Sequence, residues 1–263
     1  LRAALDEEER ARLEIEDGHT MVIIDTPIVE VEGDGYVYNT IPVGIVLTDD
    51  NIITISLKDV PVLKYFYDFR MIKFSTKKRN RMFLQILYRN AALFLSYLKQ
   101  VDKMSTKVEE SLHKSMKNKE LIQMLKLEKS LVYFATSLKS NEVVMEKLLR
   151  MSFIKKYPDD LDLLEDVIIE NKQAIEMCNI YRDILSGTMD AFASIISNNL
   201  NIVMKLLTSL TIIIAIPTLI ASLWGMNVNV PFRESPMGFL IVGCIALLCS
   251  FISIIVMIRK NML

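Results

Sequence analysis

Glycine is scarce in this chain: eight occur in 263 residues, and none lies between Gly44 and Gly187. A glycine-rich loop that cradles phosphates is therefore missing, and ATP-driven transport finds no support. Histidine is scarcer still. His19 reads as part of a turn and His113 as part of a charged helix, so the two form no catalytic or metal-ligating pair, and enzyme readings fare poorly. The three cysteines, Cys178, Cys244 and Cys249, have neither metal nor disulfide spacing. They read as free thiols acting as small hydrophobes, in a reducing compartment where exposed. An excess of one charge is also lacking. With 31 basic and 32 acidic residues the net charge is -1, which leaves no domain-wide basic surface for a nucleic acid.

The charges that are present are segregated. Between Leu206 and Ile258 the only ionisable side chains are Arg233, Glu234 and two cysteines. Two apolar runs result: Val203–Trp224, with Lys205 near its start, and Gly238–Ile258, followed by Arg259 and Lys260. Each is long enough to cross a hydrocarbon core of roughly 30 Å as a helix, which takes about 20 residues. A buried soluble helix rarely stays apolar on every face for so long. Joined by a short loop, the two runs predict a hairpin in a lipid bilayer. One basic residue opens the first run, one lies in the loop and two follow the second. That positive-inside bias puts both termini in the cytoplasm of a multi-pass protein of the plasma (inner) membrane. The chain opens on Leu1 rather than Met, inside a charged segment with no signal peptide. The expectation is that it begins within a domain whose first strands precede it.

Residues 1–74 read as the C-terminal part of a cytoplasmic α/β domain. Met21–Val31 and Gly44–Leu57 are rich in Val, Ile and Thr and predict strands, the second folded into a hairpin at Asp49-Asp50-Asn51. Gly33-Asp34-Gly35 turns the chain before Tyr36 and Tyr38. Glu7–Arg12 reads as a helix end or charged connector, and Pro61–Asp68 as a short helix. Helical spacing takes over in 75–158, where Leu84, Leu87, Ala91, Phe94, Leu98 and Val101 recur in steps of three and four. Ser105-Thr106 with Glu109 offers a capping box for a further helix whose apolar face is Leu121, Met124, Leu127, Leu131 and Phe134. After Tyr157-Pro158-Asp159-Asp160, with Asp160 as N-cap, no proline occurs until Pro217. A helix unbroken from Leu161 to Leu223 measures about 95 Å, roughly three times the hydrocarbon core. Residues 159–202 then form a stalk and 203–224 the first span. An extracellular loop (225–237), a second span (238–258) and a cytoplasmic tail (259–263) complete the chain. The fold class is an α+β cytoplasmic domain, then long helices and a two-helix transmembrane hairpin, with the stalk continuous with the first span.

Two spans cannot enclose a water-filled path; several copies around an axis can. Asn201, Met204, Leu207 (or Thr208), Thr211, Ala215, Thr218 and Ser222 share one helix face, and about three turns back so does Asp190. A carboxylate ring at Asp190, a greasy constriction at Met204 and Leu207, and hydroxyls beyond would make a cation route with a hydrophobic gate. Small residues on that face would equally serve close helix packing in lipid. Gly225-Met226-Asn227 ends the first run. Glycine lets the backbone turn out and expose carbonyls, and asparagine offers a neutral acceptor. Mg²⁺ prefers six oxygens and sheds water reluctantly, so such a ring could hold the hydrated ion through its waters without trapping it.

Tyr181-Arg182-Asp183 through Asp190, Ser197-Asn198-Asn199, Asn201–Thr208 and Trp224-Gly225-Met226-Asn227 resemble the CorA-type magnesium transporters, and the likeness covers nearly the whole chain. The resemblance implies a homopentamer, with the first span of each copy lining one central pore. It implies an outer selectivity site at Gly225, Met226 and Asn227, and an inner pore lined by Asn201, Met204, Leu207 and Asp190. Its cargo would be Mg²⁺, with Co²⁺ and Ni²⁺ accepted, entering passively. Mg²⁺ would also be the regulator rather than a catalytic cofactor, bound between neighbouring subunits to hold the pore shut. Asp166 matches one partner of that regulatory site; Asp25 or Glu30 would supply the opposing acid. Three positions depart from the pattern: Trp224 where tyrosine is usual, Arg233 offsetting Glu234 in the loop, and Ala215 where a bulkier Met can form a constriction. The alternatives are a transporter of another divalent metal such as Zn²⁺, or a membrane-anchored helical scaffold.

Overall fold

Four strands succeed one another in sequence and in space: β1 (Arg12–Glu16), β2 (His19–Glu32), β3 (Gly35–Thr48) and β4 (Ile52–Ser56), an antiparallel meander ordered β1-β2-β3-β4. The computed structural model describes residues 2–7, 9–16, 18–33, 35–68, 75–115, 118–228, 230–231 and 236–260. The expected strands are present, but longer. β2 and β3 pair from His19↔Thr48 to Glu32↔Gly35, and Gly33, at φ +60°, supplies the left-handed turn. The Glu7–Arg12 expectation is corrected: Arg12 opens β1, and the helical turn lies earlier, as a short 3₁₀ segment at Arg2–Leu5. His19 likewise starts β2 rather than sitting in a turn. The 3₁₀ segment needs Gly44, because a Cβ there would lie 2.6 Å from the Ala4 Cβ.

Pro27 and Pro42 sit inside the paired strands, where a missing N–H normally costs a ladder bond. Here it does not. The Asp25 N–H donates to Asn141 Oδ1, and its carbonyl accepts from Asn141 Nδ2 and Asn90 Nδ2, each at 2.8 Å. Asp25 therefore turns its polar backbone away from β3, making Asp25↔Pro42 a non-hydrogen-bonded pair. Pro27, two residues on, faces the same way. β1 pairs only as far as Ile23, so asparagine side chains replace the strand that β2 lacks on this edge.

The helices are α1 (Pro61–Tyr67), α2 (Arg79–Ser115), α3 (Asn118–Leu148), α4 (Ser152–Lys155), α5 (Pro158–Trp224) and α6 (Gly238–Arg259). All six apolar residues predicted for one face of α2 are buried. The capping box is not used. α2 runs on past Ser105 and Thr106, whose hydroxyls donate to the Asp102 carbonyl at 2.8 and 3.1 Å within the helix. Asp160 is not an N-cap either: α5 has already begun at Pro158, and the Asp160 N–H donates to the Tyr157 carbonyl.

The chain divides into two units, Leu1–Met189 and Asp190–Leu263. In the first, Val22, Ile24 and Val43 of the sheet share a core with Phe83 and Leu87 of α2, Leu148 of α3 and Ile168 of α5. Each such side chain contributes about 1.5–3 kcal/mol by leaving water. α5 runs antiparallel to α3, joined by Asn171 Nδ2 to the Leu138 carbonyl (3.0 Å) and Cys178 Sγ to the Leu131 carbonyl (3.1 Å). Burial pushes the Cys178 thiol up to about 12, which makes it an inert core group.

Candidate functional site

α5, whose later part belongs to the second unit, and α6 are both long and apolar enough to cross a membrane. α6 turns bulky side chains outward, with Phe239 80% and Leu247 72% exposed. In water so large an apolar surface is unfavourable; against lipid it is not. The helix of α5 continues through Pro217, as spans can when neighbouring groups satisfy the freed carbonyl.

Every residue of the predicted stripe lies exposed on α5: Asp190, Asn201, Met204, Leu207, Thr211, Ala215, Thr218 and Ser222. The covered side of α5 runs through Ser209, Ile213, Ile216, Pro217, Ile220 and Trp224. At about 100° per residue the two sets point in nearly opposite directions. The stripe thus lies within the uncovered part of the helix in a single chain, which also takes in Leu210, Ile214 and Leu219, while residues 201–208 are exposed on every side. Its two threonine hydroxyls are already committed as donors: Thr211 Oγ1 to the Leu207 carbonyl and Thr218 Oγ1 to the Ile214 carbonyl, each at 2.8 Å. What they still offer is oxygen lone pairs, the polarity a cation or its water shell requires.

Gly225 makes the last helical bond, N–H to the Ala221 carbonyl at 2.9 Å, and a Cβ there would lie 3.3 Å from that oxygen. Met226 and Asn227 follow, exposed and beyond the helix. The chain is then tied back. Trp224 Nε1 donates to the Pro231 carbonyl at 3.1 Å, closing a ring of backbone with the tripeptide inside it. Nothing in the sequence signals that bond, since the indole donor of Trp224 and the Pro231 carbonyl are brought together only by the path of the loop. Arg233 and Glu234 lie outside the described residues.

The predicted regulatory acids lie in the first unit and are not gathered. Asp166 is exposed on α5. Glu30, on β2, is paired with Lys58 at 2.9 Å. Asp25 is drawn inward: burial pushes its carboxyl up to about 6, opposed by a hydrogen bond from Ser137. Among the described residues no three His, Cys, Asp or Glu form a metal-binding group within one chain.

A family described as CorA-like Mg²⁺ transporter protein matches residues 1–260. The chain belongs to the CorA family. The cobalt/magnesium transport protein CorA of Methanocaldococcus jannaschii is 28% identical over 270 residues, covering 99% of this chain and 82% of that protein. The protein of the same name from Thermotoga maritima is 35% identical over 111 residues, 38% of this chain and 32% of the relative. The complete structure of the M. jannaschii CorA magnesium transporter aligns with a TM-score of 0.86 at 25% identity, covering all of this chain and 83% of that one. The CorA architecture of a cytoplasmic domain, long helices and a membrane hairpin is therefore that of this chain. The ZntB cytoplasmic domain from Vibrio parahaemolyticus shares the soluble fold alone, at 11% identity and a TM-score of 0.54 over 74% of this chain and 75% of that one.

Proposed function

We propose that this CorA-family chain forms a homopentameric channel for divalent cations, carrying Mg²⁺ passively into the cytoplasm, with Co²⁺ and Ni²⁺ also accepted. The observation that carries the reading is Gly225-Met226-Asn227 at the end of α5, in a chain matched to CorA over residues 1–260. The uncovered stripe supports it: copies meeting around an axis would turn Asn201, Met204, Leu207, Thr211, Ala215, Thr218 and Ser222 inward, with Asp190 at the lower end. Met204 and Leu207 would gate by dewetting, and Asn227 with the freed carbonyls near Gly225 would hold the ion through its waters. Relatives named for cobalt and magnesium favour Mg²⁺ over Zn²⁺ as cargo.

Cytoplasmic Mg²⁺ would bind between subunits and keep the pore shut, each chain giving part of the ligand set. Asp166 is our first ligand. Of the two opposing candidates we favour Glu30, whose carboxylate reaches the surface, over the inward Asp25. The test is Mg²⁺ uptake into proteoliposomes driven by an inside-negative potential. Asn227→Ala should cut the initial rate by at least about tenfold, given the role of coordinating groups in selectivity. Undiminished uptake would sink the selectivity claim, and a scaffold would show no flux in either protein.

A further inference from the structure

Glu30, the acid favoured for the regulatory site, does not have its lysine to itself. Lys58 Nζ lies 2.9 Å from Glu30 Oε1 and 3.3 Å from Glu7 Oε1, so one ammonium bridges two carboxylates. The three residues come from separate segments. Glu7 follows the 3₁₀ segment, Glu30 lies on β2, and Lys58 follows β4, which is two strands from β2 in the sheet. Local packing brings them together. The 3₁₀ segment is seated on Gly44 and touches both β3 and β4, which carries Glu7 to the β4 side of the sheet. Ser56 Oγ donates to the Lys58 carbonyl at 2.7 Å and Val60 is buried, so the chain is fixed on either side of Lys58.

All three side chains are half-exposed, within reach of ions in solution. Hydrogen bonds to Glu30 and then Glu7 hold the Lys58 ammonium above its ordinary pKa, so it stays charged. Exposed ion pairs of this kind are individually weak. Mg²⁺ is commonly held through one or two carboxylates while it keeps several of its waters. Glu7 and Glu30 supply such a donor set, and the group between them is itself a cation, of single charge.

We propose that Lys58 is a built-in competitor of the regulatory Mg²⁺: the ion reaches Glu30, and Glu7 beside it, only when the ammonium leaves, and this sets how much internal Mg²⁺ shuts the pore. The proposal rests on the reading of Glu30 as a regulatory ligand. The exchange is local, one cation for another, and the freed ammonium returns to water on its flexible four-carbon stem. Lysine suits the role better than arginine, whose planar fork would grip a carboxylate with two parallel bonds.

The test is a Mg²⁺ titration of the full chain with two readouts. One is the thermal midpoint in detergent, which rises as the ion binds; the other is inhibition of uptake by Mg²⁺ inside proteoliposomes. Lys58→Met, which keeps the stem and removes the charge, should lower the half-saturating Mg²⁺ by about threefold to tenfold in both, the scale of losing weak exposed pairs. Lys58→Arg should leave it within about twofold or raise it. The direction is diagnostic, because a merely structural lysine would weaken inhibition on removal and move the half-saturating Mg²⁺ upward. An unchanged or higher value in Lys58→Met, with Asp166→Ala and Glu30→Gln both raising it, would overturn the competition and leave the regulatory reading standing. If Asp166→Ala and Glu30→Gln also left it unmoved, the regulatory reading would fall and the proposal with it.

Discussion

The Asp25 carboxyl sits mostly buried beneath α3, with Ser137 as a hydrogen-bond donor. Burial raises its folded pKa from 3.8 to about 6, so the fold favours the protonated form. The stabilising contribution is therefore complete below pH 3.8 and lost as pH rises through about 6. At pH 7.5 the native state carries an ill-solvated charge. Asp25→Asn, similar in shape but uncharged, should stabilise the protein on the order of 1–3 kcal/mol at pH 7.5 and have little effect at pH 4. Thermal unfolding of the solubilised chain at both pH values checks this, and an equal shift at both would defeat it. The sequence could not disclose this setting. MVIIDTPIVEV is apolar on both sides of the strand, so alternation does not say which way Asp25 points. The clamping partners, Asn90 and Asn141, come from helices far along the chain.

Among the elements, those with long uniform patterns were readable and those settled by a single contact were not. The α2 face and both apolar runs emerged because hydrophobic spacing persists over many turns. β1 escaped because RLEIE has two apolar residues among three charged ones, and it pairs only through β2. The mistaken cap at Ser105 has a simple cause. With neither glycine nor proline to stop the helix, the hydroxyls bonded backward within it instead of starting a new one. At the end of α5 the Trp224–Pro231 bond gives another prediction. Trp224→Phe keeps an aromatic ring but removes the donor, freeing the loop that carries Asn227. The KM for Mg²⁺ uptake should rise by about threefold to tenfold, consistent with loss of one hydrogen bond of about 1 kcal/mol, with folding unchanged. An unaltered KM would show that the bond does not position the site.

For the molecule as a whole, the proposed channel needs more than one chain. On that proposal, neighbours would complete both the stripe left uncovered in one copy and the acids that do not meet within one copy, and no pattern in a single sequence specifies a contact between copies. Asp166→Ala should shift inhibition by internal Mg²⁺ to concentrations about tenfold higher, the scale of losing one carboxylate from a shared site. Uptake at low internal Mg²⁺ should be unaffected, and a superimposable inhibition curve would move the sensor elsewhere. The meander has a consequence of another kind, in time. Each strand pairs with the one made just before it, and the core of the first unit closes with Leu164, Val167 and Ile168, all preceding Val203. Synthesis runs from the amino end, and domains fold as units while the chain is still growing. The ribosome can thus release this sheet with its helices, already packed, before the first apolar run leaves it, so insertion into the membrane begins with the core of the first unit in place.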